Sequence, residues 1–140
     1  MCPLPAFRLG DTLRCRELTE LGMTEQYQGG CQCGAVSYEV DDVDLAQTIT
    51  CNCSRCQPMG FVLTFAPRDS FKLLSGADNL TEYRFNKKKI EHLFCKTCGV
   101  ESFAYGEMAD GSPIAMINVN CLTGVNPREI ECHHVDGASA

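Results

Sequence analysis

The chain has 140 residues, of which 44% are apolar, and 12 basic against 18 acidic side chains leave a formal charge of −6. That length and apolar content predict one domain with a real hydrophobic core. The acidic balance excludes a protein that wraps nucleic acid, which needs a basic face, and no stretch approaches the ~20 consecutive apolar residues of a membrane-spanning helix.

The first 22 residues, MCPLPAFRLGDTLRCRELTELG, mix charges and lack a continuous apolar run, so they do not read as a secretory signal. Met23 then opens MTEQYQGGCQCG, directly ahead of the first cysteine motif. Residues 1–22 are expected to be an appended, loosely ordered extension, and residues 23–140 the single domain. The missing leader points to the cytoplasm, where thiols stay reduced.

From there the chain reads as a series of short strands. GAVSYEV (34–40) alternates Val36, Tyr38 and Val40 on one face, the pattern of a half-buried strand. AQTIT (46–50) leads into CNCSRC, and FVLTFAP (61–67) leads away from it. FKLLSG (71–76), LTEYRF (80–85), IEHLFC (90–95), VESFAYG (100–106) and PIAMINVN (113–120) complete the set. Gly76, NKKK, Cys98-Gly99, ADGS and NPRE punctuate it. Short strands with turns about every ten residues predict a mainly β sandwich or open barrel. Helix is confined to single turns, around 67–71 and after Cys53. Lys87-Lys88-Lys89 is the basic run and reads as a solvated turn.

Eleven cysteines, about 8% of the chain, approach the level of a disulfide scaffold in a secreted protein. In a reducing compartment the same count points to metal. The cysteines sort by spacing into Cys31-Gln-Cys33, Cys51-Asn-Cys53-Ser-Arg-Cys56 and Cys95-Lys-Thr-Cys98-Gly99, with Cys2, Cys15, Cys121 and Cys132 standing alone. A CxxC on a tight turn presents two thiolates to one tetrahedral ion, and the glycine behind it lets backbone N–H groups approach the sulfurs. A CxC does the same from a bent strand end, and Gly29, Gly30 and Gly34 supply the bend. Soft thiolates and tetrahedral preference favour zinc over an iron–sulfur cluster. A redox CxxC would open a helix in a βαβ setting, which this chain lacks.

Seven clustered cysteines divide naturally as four plus three, although spacing does not say which pair joins which. Four thiolates close a structural site, whereas three leave the open position of a catalytic one. A fourth ligand from Cys121, His92, His133 or His134 would instead close the smaller site and make it structural.

GGCQCGAVSYEV, CNCSRC, FKLLSGADNLTEYRF and HLFCKTCGVESFAYG, in this order and at these spacings, resemble the glutathione-dependent formaldehyde-activating enzyme family, which also includes centromere protein V. The similarity runs from Gly29 to Gly106 and more weakly through INVNCL to HHVDG. It implies a β-tent: layered antiparallel sheets pinned by zinc, with few or no long helices. It also implies two zinc ions per chain. Cys31, Cys33, Cys95 and Cys98 would share the structural ion. Cys51, Cys53 and Cys56 would hold a second, catalytic ion, the one open to partial loss.

The implied activity is of carbon–sulfur lyase type on a small thiol adduct, with S-(hydroxymethyl)glutathione formed from glutathione and formaldehyde. The implied partner is then a small thiol such as glutathione, with neither nucleic acid nor membrane. Asn52 stands where many members carry His, and Gln57-Pro58-Met59 follows Cys56 where members have a basic and small run. Arg55 and Asn52 are candidates for contacting the substrate, with support of the cluster's sulfurs as the alternative. Phe61 is expected in the core, His92 as a satisfied strand histidine, and one of Tyr83 and Arg84 buried by strand alternation. Two rival functions are a zinc-stabilised binding module without catalysis and a thiol or metal sensor.

Overall fold

The computed structural model describes residues 25–85 and 89–139. The expected extension, with Cys2 and Cys15, and the Lys87-Lys88 pair lie outside the described residues.

Ten strands are described: β1 (Glu25–Gly30), β2 (Ser37–Val43), β3 (Ile49–Cys51), β4 (Leu63–Pro67), β5 (Phe71–Ser75), β6 (Leu80–Tyr83), β7 (Glu91–Cys95), β8 (Phe103–Glu107), β9 (Pro113–Asn118) and β10 (His133–Val135). One short helix, α1 (Cys56–Met59), follows β3. The strands form a three-stranded sheet in the order β1-β2-β5 and a seven-stranded sheet in the order β10-β3-β4-β9-β8-β7-β6. Pairing is antiparallel except for β10 against β3, which is parallel. The mainly β, layered architecture expected from the sequence is what the chain adopts.

The core lies between the two sheets. The alternation read in GAVSYEV is realised, with Val36, Tyr38 and Val40 at most 1% exposed. Burying side chains of this size contributes roughly 1.5–3 kcal/mol each. Tyr38 of β2, Phe71 of β5 and Phe103 of β8 form an aromatic cluster with centroids 4.8–5.6 Å apart, which joins the small sheet to the large one. The Tyr38 hydroxyl, buried among these rings, donates to the Ser102 carbonyl at 3.0 Å. That bond removes the cost of an unpaired polar atom in an apolar layer.

Three local readings changed. β1 carries no hydrophobic alternation in EQYQGG and forms through its ladder with β2. The stretch read as a strand from 46 splits, because Asp44 caps a 3-10 turn over Leu45–Gln47 by accepting from the Ala46 N–H at 2.9 Å; β3 begins only at Ile49. Tyr83 and Arg84 are both exposed. β6 ends at Tyr83, so strand alternation no longer governs Arg84, which pairs instead with Glu82 and Glu91 at 2.7 and 3.0 Å.

Candidate metal centre

The first cluster gathers Cys31 and Cys33, just past β1, with Cys95 at the end of β7 and Cys98 in the turn beyond it. All four sulfurs lie within 4.8 Å of one another, with Cys31 to Cys33 at 3.6 Å and Cys33 to Cys95 at 3.7 Å. Backbone N–H groups converge on them. Val36 donates to Cys31 at 3.3 Å, and Thr97 and Cys98 donate to Cys95 at 3.3 and 3.5 Å. The Val100 N–H lowers the Cys98 thiol to about 6, and the Cys98 N–H lowers Cys95. These donors favour thiolate, the form that binds metal. Because β1 belongs to the small sheet and β7 to the large one, the cluster ties the two sheets together.

The second cluster is built by the β3–α1 junction. Cys51 is the last residue of β3, and Cys56 the first of α1. The Cys56 N–H donates to Cys53 Sγ at 3.3 Å as the chain turns into the helix. Burial works against ionisation of Cys53, but the Cys56 and Arg55 N–H groups outweigh it and hold that thiol below its ordinary value. Burial pushes the Cys56 thiol up. α1 is a single turn because Gly60 takes a left-handed conformation (φ 65°), and its N–H bonds back to Gln57 O at 3.1 Å. The three sulfurs lie within 4.8 Å of one another, and no His, Asp, Glu or further Cys among the described residues joins them. Cys121, His92, His133 and His134, weighed as closing ligands, all stand outside the group.

The neighbours of this cluster follow from the tertiary fold. Asn52 is committed to the C-terminal segment: its Nδ2 donates to Asp136 at 3.0 Å, and its Oδ1 accepts from the Ala138 N–H at 3.0 Å. With the Asn52 N–H on Val135 O at 3.3 Å, these bonds dock β10 beside β3. Gly137 then passes so close to Cys51 that any side chain there would strike the sulfur. Arg55 turns inward. Its guanidinium lies 4.9 Å from the Tyr83 ring centroid and donates to Glu101 Oε1 at 2.5 Å. Glu101, only 3% exposed, brings its other oxygen to 2.7 Å from His92 Nδ1. Glu101, Asp136 and Gly137 were not singled out from the sequence. The available signal for Glu101 was a lone acid in the otherwise apolar VESFAYG.

Two of these cysteines, Cys51 and Cys56, line a cavity of about 440 Å³, whose wall also includes Asn52, Gln57, Phe61 and His134. The Asn52 and Gln57 positions, where this chain departs from the commoner family pattern, both line it. Phe61 is buried as expected and forms wall as well as core. Behind the cluster lies a second cavity of about 50 Å³.

Two thiol clusters, one joining the sheets and one facing a cavity, mark a metal-site protein built on a layered β scaffold; either cluster could hold a metal ion. The family model of the glutathione-dependent formaldehyde-activating enzyme matches residues 26–134, and the chain belongs to that family. It is also similar to a protein of Rhodobacter sphaeroides of known crystal structure. The two are 34% identical, with a TM-score of 0.69, over 77% of this chain and 99% of that one. No helix among the described residues is long and apolar enough to cross a membrane.

Proposed function

We propose that this protein is a zinc-dependent enzyme that forms or cleaves the carbon–sulfur bond of a small S-hydroxymethyl thiol, with glutathione and formaldehyde as the leading pair. One observation carries the reading: the Cys51, Cys53 and Cys56 sulfurs have no fourth protein ligand among the described residues, and Cys51 and Cys56 line a cavity of about 440 Å³. A closed structural site would fill that position from the chain, whereas an exchangeable site leaves it to substrate. The cavity volume falls in the range of small-molecule sites, about 300–1,000 Å³. Zinc bound there would hold a substrate thiol as thiolate near neutral pH.

The chain's own residues divide the remaining work. The Cys56 and Arg55 N–H groups spread the charge on Cys53. Arg55 donates from one guanidinium nitrogen to Glu101 and so holds that carboxylate. Recognition of the thiol's polar groups falls to Gln57, His134 and the backbone lining the cavity. Asn52 acts indirectly, by holding the C-terminal segment against Cys51. Cys31, Cys33, Cys95 and Cys98 hold the structural zinc, for two ions per chain. All nine described cysteines are free thiols, which suits a cytoplasmic protein.

The test is glutathione–formaldehyde exchange by NMR with zinc-loaded protein. Acceleration above the spontaneous rate that disappears in Cys53→Ala is expected. No acceleration by protein carrying two zinc ions would overturn the reading and favour a binding role for the same scaffold.

A further inference from the structure

The cavity of about 50 Å³ lies on the inner side of the three-cysteine cluster. Cys56 and Phe61 wall both this cavity and the outer one, so both cavities border the cluster. Much of the inner wall is apolar, with Leu63, Phe103 and Met116 beside Phe61. His92 interrupts it. The residue is 3% exposed, and its Nε2 is buried with no hydrogen-bond partner among the described residues. A buried polar atom left unpaired is costly, and native proteins keep such atoms where a ligand or water completes them.

The hydrogen bonds behind the ring define what Nε2 can bind. Arg55 is always protonated and donates to Glu101 Oε1, so Glu101 serves as an acceptor on both oxygens. With Nδ1 facing that carboxylate, Nε2 is the ring nitrogen left without a partner among the described residues, on a residue that lines the cavity. Asn118 and Glu101, the other polar side chains in the wall, already have partners: Asn118 Nδ2 donates to Glu101 O at 3.0 Å, its Oδ1 accepts from the Asn120 N–H at 3.1 Å, and Glu101 accepts from Arg55 and His92. Of the three, His92 is the one with a buried polar atom lacking a partner among the described residues. The volume is a few times the ~10–15 Å³ that one water needs, enough for a one-carbon unit.

We propose that this inner cavity is the subsite for the one-carbon hydroxymethyl unit, with His92 Nε2 accepting the hydrogen bond of its hydroxyl. The inference rests on the thiol-adduct reading above and deepens it. In the cleaving direction the carbon–sulfur bond breaks with its electron pair on sulfur. The C–O bond becomes the aldehyde carbonyl as the hydroxyl proton passes to His92 Nε2. In the forming direction the thiolate sulfur attacks the carbonyl carbon, and His92 returns that proton to oxygen. His92 is the catalytic residue, while Glu101 and Arg55 are positioning residues that fix its ring.

The test uses zinc-loaded protein labelled with 15N-histidine, with methanol as an unreactive one-carbon probe. Methanol is expected to shift His92 Nε2 saturably and tert-butanol to leave it unmoved, with a tert-butanol response appearing in Met116→Ala. A His92 signal blind to methanol, or equally responsive to both alcohols, would overturn the subsite. So would a signal showing Nε2 bound directly to the metal. In the exchange assay, His92→Gln that melts like the parent protein should lose about 10²-fold in kcat with little change in KM for the thiol. An unchanged kcat would remove His92 from catalysis while the thiol-adduct reading stood. A methanol-responsive His92 in wild-type protein without exchange activity would support the subsite and remove the thiol-adduct reading instead.

Discussion

Glu101 holds two partners from one buried position, Arg55 on one oxygen and His92 on the other. Removing it would strand a guanidinium and an imidazole in a nearly closed space, which is the expensive way to break a buried ion pair. Glu101→Ala is expected to cost about 3–5 kcal/mol in urea unfolding of the zinc-loaded protein; a loss near zero would show that water replaces the carboxylate. Gly137 has a different role, close approach. A Cβ there would strike Cys51 Sγ, so Gly137→Ala is expected to lower metal content at the three-cysteine cluster while leaving the other cluster loaded. Metal analysis checks this, and full occupancy would mean that the C-terminal segment yields freely. Neither residue was legible beforehand. An acid in VESFAYG and a glycine in HHVDG have ordinary local explanations, and only their partners, more than forty residues away for Arg55 and more than eighty for Cys51, give them another.

At the scale of elements, strands with their own alternation were legible and strands made by their neighbours were not. β2 could be read because Tyr38 and Val40, with Val36 just ahead of the strand, must share one face to be buried. β1, with EQYQGG, has no such pattern and exists because β2 offers it a ladder. The same holds for the end of the chain. The residues of HHV are exposed, and β10 is held by its parallel pairing to β3 and by the Asn52 bonds. The four-cysteine cluster joins the ends of β1 and β7, which belong to different sheets. Its metal-binding energy is therefore folding energy. Cys95→Ala should lower the melting temperature sharply and expose the face between the sheets, seen as increased dye binding. A melt like that of the parent protein would show that the aromatic cluster alone holds the sheets.

For the whole molecule the two clusters carry separate loads. The three-cysteine cluster lies within one local junction, β3 to α1, and does not bridge the sheets. Cys53→Ala is accordingly expected to keep the melting temperature close to the parent value when the four-cysteine site is loaded, and to drop zinc from two ions to one per chain. Unchanged zinc content would refute the second site, and a collapsed melt would make it structural.

The sequence by itself determined that this is a mainly β protein with cysteine clusters that could hold metal, because strand alternation and CxC or CxxC spacing are local properties that survive without knowledge of the fold. It also divided seven cysteines into four and three, while the pairing followed from family likeness and then from the sulfurs found within 4.8 Å of one another. Only the tertiary structure decided that Arg55 meets Glu101, that Asn52 serves the C-terminal segment, and that one ring nitrogen of His92 is buried with no partner among the described residues. Each of those facts depends on the partner a polar side chain meets after the chain has closed. Such partners lie tens of residues away and leave no periodic mark.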